Sequence, residues 1–377
     1  MSERAMRQEE SAVTIPVFDD ANKREHEVGP EVLLGTGEVL SDRRPAGDER
    51  PWRKRKRESV RVAAAFRRLG EPHVARAARC RDCGTFLTFC ECPASSAHPK
   101  SLHTANFCRE RLCGMCAWRR SLKIGAEVRA VVERILKERP NATFILLTLT
   151  IKNCSGKDLR QTIDLLQAAW SRFHKMHHIA RVIAGSFRSL EVTCSRTRGD
   201  YHPHLHVLIE TCPDYFAWGK SDKSAYMSQQ DFVTGWQQAL QVEYKPVVHV
   251  QRVRDVGFAS CEVAKYAVKP ADIVDLSGPD QPDCGDLQEV EAQRIGYLHE
   301  ALSGRRLVTY TGTLRAARQA LIAEGKIDPE GEDGDLIHVG DEEPSTAVCK
   351  TCGKPLILHQ YEWGRVGATW DDGAYVG

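Results

Sequence analysis

The chain has 377 residues, 42% of them hydrophobic and 28% charged, with a formal net charge of +2. That length can bury a sizeable core and suits one main domain with appendages, while a net charge so near zero says nothing by itself about a nucleic-acid partner. No run approaches the ~18–20 uninterrupted apolar residues of a membrane span, and Met1–Glu10 has no apolar centre of the kind a secretory leader needs. The expected location is therefore the cytoplasm, with no membrane partner, and the 14 cysteines are expected as thiols or metal ligands rather than a disulfide framework.

Residues 1–50 are polar, mixed in charge and aperiodic, which predicts disorder. Residues 51–120 form a basic, cysteine-rich module that opens with Arg53-Lys54-Arg55-Lys56-Arg57. Cys80-x-x-Cys83 and Cys113-x-x-Cys116 are pairs at zinc-ligand spacing, so a structural Zn²⁺ held by Cys80, Cys83, Cys113 and Cys116 is expected. Cys108 is an alternative member of the first pair, and Cys90 and Cys92 are further candidates. Cys349-Lys-Thr-Cys352 is a third such pair with no evident partner pair, although His359 lies nearby.

Ser121–Arg139 reads as an amphipathic helix stopped by Pro140. Strands are then expected at 143–151, 186–194, 203–210 and 246–253, with helices at 158–178, 229–241 and 258–269. This β-α-β-β-α-β order predicts an α+β fold, an antiparallel sheet with helices packed on one side. Residues 286–325 read as helical around a short strand at Arg306–Tyr310, and the acidic stretch 328–343 reads as a linker.

Two segments carry chemistry. In the extended run Tyr201-His-Pro-His-Leu-His206, His204 and His206 point to one side while Leu205 and Val207 point to the other. Two imidazoles so placed can share one cation. Glu191, in the alternating run Ser189-Leu-Glu-Val-Thr193, supplies an oxygen ligand from the neighbouring strand of a hairpin. His202 has the same parity but flanks the site. In the second segment, Glu262, Lys265, Tyr266 and Lys269 are spaced i, i+3, i+4 and i+7, one stripe of a helix. A phenol has an ordinary pKa near ~10 and needs help as a nucleophile, which a polarised phosphate and a neighbouring lysine can give.

On these blocks the chain resembles the plasmid rolling-circle replication initiators (Rep) of the single-tyrosine class, within the HUH endonuclease superfamily. Phe144-Ile-Leu-Leu-Thr-Leu-Thr-Ile-Lys-Asn153 resembles the family's first strand. Glu191 with His204-Leu-His206 resembles its metal block, and Glu262-x-x-x-Tyr266 with Lys265 and Lys269 its catalytic block. Phe107-Cys-Arg-Glu-Arg-Leu-Cys-Gly-Met-Cys-Ala-Trp-Arg-Arg120 resembles its cysteine and arginine segment. Together they span roughly 50–315. Gly114 departs from the pattern, since relatives often carry proline between the two cysteines.

The resemblance implies an RRM-like core with the histidine strand at the sheet's centre. It implies a Mg²⁺ or Mn²⁺ on His204, His206 and Glu191, and attack by Tyr266 on one strand of the origin, single-stranded or extruded as a hairpin. The products would be a 5′-phosphotyrosine and a 3′-hydroxyl that primes a host polymerase. Glu262 would activate water for termination, and Lys265 and Lys269 would orient or neutralise the phosphate. Beside such a site, Arg53, Lys54, Arg55, Lys56, Arg57, Arg119 and Arg120 become candidate DNA contacts. The implied division is a disordered 1–50, the module 51–120, a nuclease core 121–275, a helical extension 276–325, and an acidic linker and cysteine-containing tail 326–377. No G-x-x-x-x-G-K-[ST] loop is present, so unwinding falls to a host helicase. No tyrosine precedes Tyr201, which excludes the relaxase order. A transposase of the same superfamily and a non-catalytic, zinc-containing DNA-binding regulator are the alternatives.

Overall fold

The computed structural model describes residues 32–33, 35–41, 50–195, 198–216, 225–254, 285–331, 334–339, 348–365 and 373–377. In chain order the elements are Val32–Leu33 (β1), Trp52–Arg68 (α1), Val74–Asp82 (α2), Phe86–Glu91 (β2), Ser101–Ala105 (β3) and Gly114–Glu138 (α3). Phe144–Thr150 (β4), Leu159–Phe173 (α4), His177–Ala180 (α5), Ile183–Cys194 (β5), Tyr201–Thr211 (β6), Gln229–Leu240 (α6) and Val248–Arg252 (β7) follow. The remaining elements are Gly285–Leu302 (α7), Val308–Thr311 (β8), Gly312–Ala323 (α8), Ile357–Arg365 (β9) and Gly373–Val376 (β10). None of the described helices is long and apolar enough to cross a membrane.

The expected α+β class holds, with the strands mostly antiparallel. The main sheet has the order β7-β4-β6-β5-β8, so β6 is its middle strand. Alternation gives each face its own partner. Ile145, Leu147 and Leu149 of β4, with Leu205, Val207 and Ile209 of β6, join the core that contains Ile163, Leu166 and Phe173 of α4 and Phe232 and Trp236 of α6. The opposite face divides along its length. At one end Phe144, Phe187 and Leu208 pack against Val128, Val131 and Ile135 of α3 and Leu314 and Leu321 of α8. At the other end the same face carries Thr148, Thr150, Glu191, His204 and His206, in register across β4, β6 and β5. Each fully buried aliphatic side chain on the packed end contributes about 1.5–3 kcal/mol, so the apolar half holds the polar half in place.

Several expectations change at the chain's ends. The helix read as Ser121–Arg139 begins at Gly114, because Cys113, in extended conformation, serves as its N-cap. Within the segment 1–50, expected to be disordered, the described residues include β1, which pairs in parallel with β9, and Leu40, which donates its backbone N–H to the Tyr375 carbonyl; the rest of that expectation lies outside the described residues. The acidic stretch is not a free linker over its described part. Asp328 takes a 2.6 Å bond from Lys123 of α3, and Leu336 and Val339 are buried. The cysteine-bearing tail is likewise built in: β9 lies between β1 and β2, and β10 pairs with β9. The basic module and the tail thus share a second sheet, β1-β9-β2-β3 with β10 beside β9. That module packs on the main domain through α1 and α7, where Phe66 meets His299 edge-on at 5.6 Å between ring centroids.

Candidate functional site

Glu191, His204 and His206 meet as parity and register require, since Glu191 pairs directly with His204 and Ser189 with His206. Both imidazole Nε2 atoms converge on one carboxylate oxygen, Glu191 Oε2, at 2.7 Å from His204 and 3.0 Å from His206. All three residues are buried. The far nitrogen of each ring is held as well. His204 Nδ1 donates to the His202 carbonyl at 3.0 Å, and His206 Nδ1 lies 3.2 Å from Thr148 Oγ1. A carbonyl oxygen only accepts, so His204 donates from Nδ1 and presents Nε2 to Glu191, the orientation that positions metal-ligating histidines. Burial alone would push the Glu191 carboxyl up, but hydrogen bonds from His204 and His206 outweigh it and hold the group down at about 2.

The donors fit a divalent cation. Two ligands each about 2.1 Å from an octahedral ion, at right angles, stand about 3.0 Å apart, which matches the nitrogen–oxygen separations here. His202 lies on the same face and stacks on His204 at 5.0 Å between ring centroids, but it stands outside the trio. Thr148, which braces His206, was not singled out by sequence reasoning; its place opposite His206 in the β4–β6 register is the signal that identifies it.

The thiols regroup relative to expectation. The sulfurs of Cys83, Cys108, Cys113 and Cys116 lie within 4.8 Å of one another. Cys83 and Cys116 are 3.5 Å apart and Cys108 and Cys116 3.7 Å. Sulfurs on a tetrahedral Zn²⁺ at about 2.3 Å stand about 3.8 Å apart, so the quartet has the right size. Cys80, placed in the set by its spacing, is buried beside it and hydrogen-bonds Cys108 and Cys113. It belongs to the last turn of α2, whereas Cys83 caps that helix and Cys108 enters from the segment before α3. The backbone N–H groups of Cys108 and Arg109 donate to Cys83 Sγ and Cys116 Sγ. Gly114 has a local reason: a Cβ there would come within 2.5 Å of the Glu58 Cβ and 2.9 Å of the Arg55 carbonyl.

The candidate DNA-contact residues separate by burial. Arg53 and Lys54 are exposed and Arg55 and Arg57 half-buried. Lys56 is fully buried and donates to the carbonyls of Arg81 at 2.6 Å and Cys83 at 2.7 Å, neutralising the end of α2. Arg119 is also fully buried, donating to the carbonyls of Leu336 and Ile337, and Arg120 binds those of Arg109 and Glu110. These three are structural cations inside the fold rather than a DNA-facing surface. Glu262, Lys265, Tyr266 and Lys269 lie outside the described residues, in the segment that joins β7 to α7.

Comparison with known proteins bears on the whole arrangement. A family described as "Replication protein" matches residues 99–360, from just before β3 into β9. A "Protein rep" of Streptococcus pneumoniae serotype 2 (strain D39) is 33% identical over 308 residues, covering 81% of this chain and 88% of its own. One from Lactiplantibacillus plantarum is also 33% identical, over 81% of this chain and 91% of its own, and a "Replication protein" of Staphylococcus aureus is 30% identical over 59% and 90%. No solved structure matches the chain. With the family matched across the histidine sheet, α3 and the thiols Cys108, Cys113 and Cys116, the chain belongs to the Rep family of replication proteins.

Proposed function

We propose that this Rep protein is a metal-dependent, site-specific DNA nicking–closing enzyme of the HUH class that initiates and terminates rolling-circle replication of a plasmid. The observation that carries the reading is the convergence of His204, His206 and Glu191 on one point of the central strand pair. The β-α-β-β-α-β order with the histidine strand in the middle is in keeping with an RRM-like core. Mg²⁺ or Mn²⁺ held by the three residues would polarise the scissile phosphate and offset charge as it develops.

The phenolic oxygen of Tyr266 attacks phosphorus, the bond from phosphorus to the 3′-oxygen breaks, and the leaving oxygen takes a proton as the 3′-hydroxyl. One phosphoester replaces another, so no nucleotide is consumed. Lys265 and Lys269 orient or neutralise the phosphate. Glu262 takes a proton from the water that cleaves the tyrosyl ester at termination. Origin DNA, a host helicase and a host polymerase are the partners this chemistry needs. Arg53 and Lys54, on the exposed side of α1, are the DNA contacts the burial pattern favours, with Arg55 and Arg57 beside them. Cys83, Cys108, Cys113 and Cys116 would hold a Zn²⁺ that ties the module together.

The test is a supercoiled plasmid carrying the gene and its flanks, incubated with the protein and Mg²⁺ or Mn²⁺. Relaxed nicked circles should form, with a nucleotide adduct on Tyr266 after nuclease digestion and mass spectrometry. Tyr266→Phe should lose nicking and keep origin binding, and His204→Ala should lose metal-dependent cleavage. Tight binding with no nick and no adduct in either metal would replace the nuclease reading with a DNA-binding regulator.

A further inference from the structure

At the other end of β2 from the thiol quartet, a second set of ligating side chains comes together. Cys92, His98, Cys349 and Cys352 each offer one atom, all within 4.8 Å of one another. Cys92 Sγ is 3.5 Å from Cys352 Sγ and 3.2 Å from His98 Nδ1, and that same nitrogen is 3.5 Å from Cys349 Sγ. Cys92 directly follows β2, and His98 lies in the turn between β2 and β3. The other two lie just before β9, and 251 positions separate Cys349 from His98.

The local backbone is shaped for this. Cys349 donates its N–H to the Lys354 carbonyl at 2.8 Å, Gly353 donates to the Cys349 carbonyl at 2.7 Å, and Val348 and Pro355 form an isolated bridge. Gly353 closes the turn at φ +70, where a side chain would be strained. Backbone N–H groups of Thr351 and Cys352 donate to Cys349 Sγ, that of Lys354 to Cys352 Sγ and that of Ala94 to Cys92 Sγ.

Sequence spacing left Cys349 and Cys352 without partners because the pairing exists only in three dimensions. The β2–β9 register sets Cys90 opposite Leu358 and Glu91 opposite Ile357, which carries the turn before β9 over the end of β2. His359, the nearest histidine in sequence, is engaged elsewhere, 3.0 Å from Thr36 Oγ1 and packed on Tyr361.

We propose that Cys92, His98, Cys349 and Cys352 form a second structural zinc site, a Cys₃His clip that fastens β9 to the N-terminal module. Three thiolates and one imidazole suit Zn²⁺ and not the oxygen-seeking Mg²⁺ or Mn²⁺ of the histidine face. Four protein ligands leave no open position, so the site holds structure and performs no chemistry. Two strands of the second sheet are thereby tied by metal as well as by the ladder between them.

Metal content of the full-length protein, measured by inductively coupled plasma and native mass spectrometry, tests this. The Cys349→Ser/Cys352→Ser protein should carry one zinc ion fewer per chain than wild type, whatever the Cys83 quartet holds. Cys83→Ser/Cys116→Ser should keep the zinc that the first variant loses. Because serine variants can misfold, His98→Cys provides an independent arm: it should retain wild-type zinc and, in the cobalt-substituted protein, gain intensity in the thiolate-to-metal band. Equal zinc in wild type and Cys349→Ser/Cys352→Ser would overturn the proposal. So would a Cys92–Cys352 disulfide found by peptide mapping of protein purified without oxidant.

Discussion

At the scale of single residues, the trio on the central strands is braced by groups that ligate nothing. Thr148 holds His206 by its far nitrogen. Replacing it with the isosteric Thr148→Val should weaken Mn²⁺ binding about 10–100-fold while the circular dichroism spectrum stays unchanged; calorimetric titration with Mn²⁺ measures it. The basic run of α1 divides in the same way. Lys56→Met strands the carbonyls of Arg81 and Cys83 and should destabilise by about 1–3 kcal/mol. Lys54→Ala, on the exposed side, should leave stability within about 0.5 kcal/mol and lower the salt dependence of DNA binding by roughly one counterion. Chemical denaturation and binding isotherms at several salt concentrations separate the two. The trio was legible in the sequence because strand alternation is strict. The burial of Lys56 was missed, although Trp52, Lys56, Ser59, Ala63 and Phe66 follow helical spacing and mark Lys56 as a member of the inner stripe. Charge type cannot tell a solvated cation from one satisfied by carbonyls.

At the scale of elements, α3 links the thiol quartet to the underside of the main sheet. Its first turn rises from Cys113 and Cys116, and its later turns bury Val128, Val131 and Ile135 against Phe187 and Leu208. Gly114 is what lets α1 and α3 approach so closely. Gly114→Ala should therefore cost about 1–3 kcal/mol through overpacking, read as a lower melting temperature. An unchanged melting temperature would mean that α1 shifts freely. Helix and strand periods made the β-α-β-β-α-β run legible in order and nearly in its bounds. The predicted 158–178 helix is shorter, ending at Phe173 before the brief α5. Cys108 could not be preferred to Cys80 by spacing, since only the approach of the segment before α3 decides which sulfur reaches the quartet.

At the scale of the molecule, the segment after α8 returns over α3 and is tied there by charge. Burial pushes the Asp328 carboxyl up, but the Lys123 ammonium and the backbone N–H groups of Glu330 and Asp335 prevail and hold it at about 2. An unfolded aspartate titrates near ~3.9, so this group stabilises the fold above that value and ceases to do so as pH falls towards about 2. Thermal melts between neutral and acid pH should show wild type losing its advantage over Asp328→Asn across that window; a constant difference would exclude the ion pair as the cause. Composition gave no hint of this, because 328–343 has the charge density of a linker and its anchoring depends on a lysine far away in sequence. The return of the tail to the first module was equally illegible, since pairing between distant strands leaves no local period.

That return has a consequence in time. A ribosome makes β2 and β3 long before β9, yet β9 occupies the place between β1 and β2. Until residue 365 has left the exit tunnel, β2 has a bare edge and the end of its ladder has nothing to close it. The order of synthesis thus lets the N-terminal module close only after the histidine sheet has been made, and a product of translation interrupted before β9 would carry that sheet without its completed companion.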